Sequence, residues 1–184
     1  MLKIAKENLK NIDFNFKFEE INAEKIPYKD ESFDIVIAQH MIYFVPNIEK
    51  AISEIYRVLS KGGVFYVTAN SKESMAELNL LAEKFAPNLG IDNNGFSERF
   101  DLENGGEILE KYFNKVEVEV EVLEGKIIVD DPKPVVLYKA STIQGSSILV
   151  GEKRKEFTTY LDNYIKKNGN ISITTKTCIF KATK

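Results

Sequence analysis

The chain of 184 residues has one cysteine, one histidine and no tryptophan. A lone cysteine, Cys178, can make neither an internal disulfide nor a cysteine-based zinc site. A lone histidine, His40, excludes a multi-histidine centre, and no metal site is expected. No stretch approaches the ~18 consecutive apolar residues that would span a bilayer, so no membrane partner is expected. The first residues, Met1-Leu2-Lys3-Ile4-Ala5-Lys6, are amphipathic and charged, without a signal-peptide pattern. A net charge of −3 gives no electrostatic case for nucleic acid. Glycine is missing until Gly62, and no carboxylate, Cys/His or Ser/His pair has a spacing that supports catalysis. There is no internal repeat, low-complexity run or splitting linker. These absences leave a single cytoplasmic α/β domain over residues 1–184 as the expectation.

What is present is organised around Ile35 to Thr68. Phe33-Asp34-Ile35-Val36-Ile37-Ala38 is continuously apolar after its aspartate, the pattern of a strand buried in a parallel sheet. A helix follows Asn47, with Ile48, Ala51, Ile52, Ile55, Val58 and Leu59 on one stripe. Asn47 is its expected N-cap, Arg57 and Lys61 suit its negative end, and Gly62 suits the left-handed position after it. Val64-Phe65-Tyr66-Val67-Thr68 is the next strand, completing a right-handed βαβ unit.

On either side, residues Met1 to Asn11 read as a short helix, and Phe14-Asn15-Phe16-Lys17-Phe18 alternates like a strand. Ser71 is placed to cap a helix with Met75, Leu78, Leu81, Ala82 and Phe85 inward, stopped by Pro87. Asn88 to Ser97 reads as a loop, and Leu102 to Tyr112 as a helix broken by Gly105-Gly106. Val116 to Val122 alternates strictly and should bury one face, leaving Glu117, Glu119 and Glu121 solvated. Asp131-Pro132 opens a helix through Val136, Leu137 and Tyr138, and Glu152 to Lys167 forms another, ended by Gly169. Ile171 to Phe180 supplies the last strand or hairpin arm.

Two blocks carry a family likeness. Ile26-Pro27-Tyr28-Lys29-Asp30-Glu31-Ser32-Phe33-Asp34-Ile35-Val36 and Glu54-Ile55-Tyr56-Arg57-Val58-Leu59-Ser60-Lys61-Gly62-Gly63 resemble the class I S-adenosylmethionine-dependent methyltransferases, most closely their small-molecule, type 11-like branch. Ser60 and Lys61 stand where Lys and Pro are usual there. The resemblance implies a three-layer Rossmann-like α/β sandwich, mostly parallel, with an antiparallel C-terminal strand pair. It implies S-adenosylmethionine as cofactor and a small-molecule methyl acceptor. Methyl transfer from a sulfonium asks a protein mainly for alignment and desolvation, so no conspicuous triad is implied.

The same resemblance implies that the first strand, its glycine-rich turn, the first helix and the second strand of the family fold have no counterpart here. Weak or absent cofactor binding is therefore expected, and a non-catalytic, self-associating remnant stays open beside an active methyltransferase. The open edge of strand Phe33–Ala38 is expected to be filled by Phe14–Phe18 or by a second copy in a homodimer. By the resemblance, Asn22 and Ala23 stand where an acid and a backbone N–H meet the cofactor adenine. Gln39 and His40, leaving the carboxyl end of the central strand, stand where cofactor and acceptor are faced. An imidazole can serve as a general base, which makes His40 a candidate, but a lone loop histidine is better explained by local hydrogen bonding. Catalytic residues are thus unassigned. Tyr43 and Phe44 are read as packing, Arg57 as serving a helix end or a surface ion pair.

Overall fold

The computed structural model describes residues 2–91, 93–113 and 119–184. Its elements in chain order are helix α1 (Leu2–Leu9), strand β1 (Phe33–Gln39), helix α2 (Ile48–Val58), strand β2 (Leu59–Asn70) and helices α3 (Ala76–Phe85) and α4 (Gly105–Glu110). Strand β3 (Glu119–Val129), helices α5 (Pro132–Ser141), α6 (Ile143–Ile148) and α7 (Glu152–Asn168), and strand β4 (Ile171–Thr183) follow. Short 3-10 helices cover Ile42–Phe44 and Asn93–Arg99.

The strands form one Rossmann-like sheet in the order β1-β2-β4-β3. β1 and β2 are parallel, as a crossover through α2 requires. β4 runs antiparallel to both β2 and β3. The sheet is therefore mixed rather than mostly parallel, because only one βαβ unit lies among the described residues. The antiparallel β3–β4 pair matches expectation.

The central unit forms as its sequence dictates. Asn47 Oδ1 accepts from Lys50 N at 2.9 Å, and Ile48, Ala51, Ile52, Ile55 and Val58 are buried. Ile48, Ala51, Ile52 and Ile55 pack with Phe65, Val67 and Ala69 of β2 and Cys178, Phe180 and Ala182 of β4 in the first core cluster. Gly62 is not the helix C′ residue. The helix ends at Val58 and β2 begins at once, so the positive φ of Gly62 (77°) serves a turn within that strand. The last turn of α2 is instead met by Lys184, whose Nζ donates to the carbonyls of Tyr56 and Leu59 at 2.8 and 2.7 Å.

A second cluster gathers α3, α5 and α7 against the start of β4, through Leu78, Val136, Phe157, Leu161, Ile171 and Ile173. Residues of opposite parity are buried at the two ends of β4: Ile171 and Ile173 at one, Cys178, Phe180 and Ala182 at the other. The two clusters thus lie on opposite faces of the sheet, and β4 belongs to both.

Several expectations are corrected. Phe14–Phe18 is not a strand and does not fill the β1 edge. Phe14 N donates to Ile12 O and Phe16 N to Phe14 O, tight local turns with the Phe14 ring 73% exposed. A strand needs a ladder partner, and this segment has none among the described residues. The β1 edge stays open, with Ile35 58% and Ile37 67% exposed. Ser71 does not cap α3, which starts after Met75 in a left-handed turn. Gly105 opens α4 rather than breaking it, because a Cβ there would come 2.8 Å from the Phe180 ring. Residues 93–99 coil into a 3-10 helix within the expected loop, and α6 was not foreseen. Val122 of the alternating strand is exposed at the sheet edge rather than buried. Glu117 and the rest of 114–118 lie outside the described residues.

Candidate functional site

The carboxyl ends of β1 and β2 point the same way, the end where open α/β sheets hold ligands. β1 finishes at Gln39, whose side chain is exposed. His40 follows with φ of 48°, a sharp exit from the strand, and its backbone N donates to Thr68 Oγ1 at 2.9 Å. Asn22 is exposed and uses Oδ1 to accept from Glu24 N at 2.8 Å, an Asx turn. Ala23 packs half-buried on the first core cluster. Glu24 Oε1 accepts from Asn47 N at 2.9 Å, which ties this loop to the start of α2. The Asn22–Ala23 loop is thus held to the start of α2, while Gln39 and His40 leave the carboxyl end of β1. None of the four lines the cleft at the carboxyl end of β2, and Asn22 and Gln39 face solvent. The residues present do not by themselves fit a buried methyl donor.

The cleft opens at the carboxyl end of β2. It has a volume of about 350 Å³ and is walled by Tyr43, Ser71, Lys72, Asn79, Asp101 and Tyr138 among others. Tyr43 is buried in the first core cluster, in keeping with packing, whereas Phe44, its ring 4.7 Å from that of Tyr43, is exposed. Burial raises the Tyr43 hydroxyl pKa. Asn79 Oδ1 accepts from the buried Lys139 Nζ at 2.6 Å, linking α3 to α5 behind the cleft. Glu103 accepts from Ser71 Oγ at 2.5 Å and from Lys72 N at 3.1 Å, holding the turn after β2.

Asp101 was missed by sequence reasoning. It is 2% exposed. Its Oδ1 accepts from Glu103 N at 3.0 Å and Asn104 N at 2.8 Å, while Asn104 Oδ1 accepts in return from Asp101 N at 2.9 Å. That reciprocal pair is a capping box at the start of α4. The Asp-x-x-Asn spacing was the available signal, but it announces a helix start, not a ligand group. Asp101 Oδ2 is buried and makes no hydrogen bond among the described residues; Lys72 Nζ lies 3.6 Å away. Burial pushes the Asp101 carboxyl above the usual carboxylate range. Among the described residues, no group of three or more His, Cys, Asp and Glu side chains could hold a metal ion.

Residues 1–67 match the family model described as a methyltransferase domain. Over 88 residues the chain is 36% identical to the ubiquinone/menaquinone biosynthesis C-methyltransferase UbiE of Brucella canis, covering 47% of this chain and 33% of that protein. The UbiE protein of an Enterobacter species is 32% identical over 112 residues, covering 56% and 45%. The chain thus spans less than half the length of these curated relatives. Among solved structures, a provisionally named methyltransferase of Bacillus halodurans matches with a TM-score of 0.66 and 22% identity, over 100% of this chain and 78% of that one. YcgJ of Bacillus subtilis matches with a TM-score of 0.60 and 17% identity, over 100% and 78%. These two likenesses concern the fold.

Proposed function

We propose that this chain, which carries the fold of the class I S-adenosylmethionine-dependent methyltransferases and matches their sequence over its first 67 residues, serves methyl transfer to a small molecule by supplying the acceptor side of the site. The observation that carries the reading is the cleft of about 350 Å³ at the carboxyl end of β2, lined by Asn70, Ser71 and Tyr43 among others. A cleft of that size suits a small organic acceptor. S-adenosylmethionine is the family's methyl donor. Asn22, Ala23, Gln39 and His40 are the residues of this chain proposed to touch it, on the walls that β1 contributes. Because Asn22 and Gln39 are open to solvent, further walls for the donor are proposed to come from additional protein. A second copy of the chain, paired along the open β1 edge, is the proposed source, in a cytoplasmic protein whose residues 1–184 form a single domain. No helix among the described residues is long and apolar enough to cross a membrane.

Isothermal titration of the chain with S-adenosylhomocysteine tests the donor side. The expected outcome is no micromolar binding by monomer, with binding gained only in the associated state. Micromolar binding to a strictly monomeric chain would show that the four residues suffice. Absence of binding in every state would leave a non-catalytic, self-associating fold as the better reading, favoured by the exposure of Ile35 and Ile37.

A further inference from the structure

We propose that the Asp101 carboxylate recognises a positively charged amino group of the small molecule that occupies the cleft, seating the ammonium on Oδ2. Calling that molecule the methyl acceptor rests on the functional reading above; the ammonium site does not. The argument starts from the division of labour within one side chain. Oδ1 completes the turn into α4 by accepting two backbone N–H groups. That task needs one oxygen, and asparagine or serine performs it as well. Oδ2 is left buried, without a hydrogen bond among the described residues, in a side chain that lines the cleft. An oxygen of a carboxylate stripped of water and given no donor is costly, and it is commonly explained by a role outside the fold's own bonding.

Lys72 does not supply the missing bond. Its Nζ is 3.6 Å from Oδ2, beyond hydrogen-bond reach, and its side chain is 56% exposed. A pair of that kind is weak and easily exchanged for solvent. The other formal charge on the cleft wall is Glu98, and Glu103 stands directly behind Ser71 and Lys72. On the wall itself two carboxylates, Asp101 and Glu98, face one cation, Lys72, while Glu103 and the buried Lys139 stand behind it, so the surface that meets a ligand carries an excess of acid. Burial raises the Asp101 pKa, and an ammonium seated on Oδ2 would oppose that shift by favouring the charged carboxylate. Tyr43 and Tyr138 add aromatic surface to the same wall, so the ligand is an amine with a short apolar or aromatic body.

The test is a titration followed by amide NMR on the full chain, with no methyl donor present. The probes are phenethylamine and its uncharged counterpart 2-phenylethanol. The expected result is that phenethylamine shifts the amides of Ser71, Asp101 and Glu103 and binds about tenfold or more tightly than the alcohol, the scale of a charge-assisted hydrogen bond. Asp101→Asn keeps the cap and removes the charge, so the two probes should then bind alike. Asp101→Ser gives the same reading should the first variant fold poorly. In Lys72→Gln, which removes a competing cation, the amine should bind equally well or better. Equal affinity of the two probes in the parent chain, no shifts at those amides, undiminished amine preference in Asp101→Asn, or weaker amine binding in Lys72→Gln would each overturn the proposal. Donor binding is measured separately with S-adenosylhomocysteine. A chain that takes the amine but never the donor sinks the methyltransferase reading alone, and the reverse result sinks the ammonium site alone.

Discussion

Arg57 shows how one side chain can fix a loop that has no regular structure. Its Nη1 donates to Tyr28 O and Asp30 Oδ1 at 2.8 Å, and its Nη2 to Ile26 O at 2.9 Å and Glu54 Oε2 at 2.8 Å. Nε closes the fork on Glu54 Oε1 at 2.8 Å, and Glu54 Oε2 also accepts from Ile26 N at 2.9 Å. The Glu-x-x-Arg spacing puts both groups on one turn of α2, so together they clamp residues 26–30 to the helix. Of the two roles the sequence suggested, a helix end or a surface ion pair, the ion pair is present, and the carbonyls of Ile26 and Tyr28 are added to it. A lysine has no planar fork and cannot make these bonds together. Hydrogen bonding to Arg57 holds the Glu54 carboxyl down at about 2. A carboxylate whose folded pKa is depressed stabilises the protein above its unfolded value and loses that contribution as pH falls through the folded one. The melting temperature is therefore expected to decline as pH drops from 4.5 toward about 2. In Glu54→Gln the melting temperature should be lower at neutral pH and the acid decline shallower. Parallel declines for the two proteins would remove Glu54 from the account.

Strand β1 lacks a neighbour on its outer side, and that follows from which strands the described residues contain. Its inward residues, Val36 and Ala38, pack on the first core cluster, while Ile35 and Ile37 on the other face stand exposed. An apolar edge of this kind pairs readily with a second chain. Two copies of β1 meeting antiparallel would form a closed, two-fold contact. Ile37→Lys should change stability by no more than about 0.5 kcal/mol, since the side chain is already in solvent. It should also abolish self-association, read as mass by light scattering on a sizing column. A parent chain that is monomeric at high concentration removes the dimer. The same strand shows what the sequence could and could not announce. Its continuous apolar run, the stripe of α2 and the Asn47 cap were readable because each is local. The silence of Phe14–Phe18 was not, because alternation states that a segment could be a strand but not whether a partner exists. The Asp131 and Gly169 helix boundaries were legible from side-chain chemistry alone. Asp101 was not legible as a cleft residue, because its unbonded oxygen arises only when β2, α4 and the 3-10 helix over Asn93–Arg99 come together.

At the scale of the whole chain, β4 joins the two cores. Cys178, Phe180 and Ala182 belong to one cluster and Ile171 and Ile173 to the other, with an unbroken ladder to β3 from Ile171 to Lys181. Neither core can open without disturbing a strand that the other requires. A chain built this way should unfold in one cooperative step despite having two clusters on opposite faces. The sharp comparison is between Phe65→Ala in the first cluster and Phe157→Ala in the second, both at fully buried positions. Each should cost about 3–5 kcal/mol. In scanning calorimetry each should lower the midpoint of one transition, with the calorimetric and van't Hoff enthalpies in agreement. If instead two transitions separate, with Phe65→Ala moving one and Phe157→Ala the other, the clusters are independent units. The β3–β4 ladder would then be a tether between them rather than a shared wall, and the cleft, whose lining reaches from Tyr43 in the first cluster to Met75 against the second, would form only when both are folded.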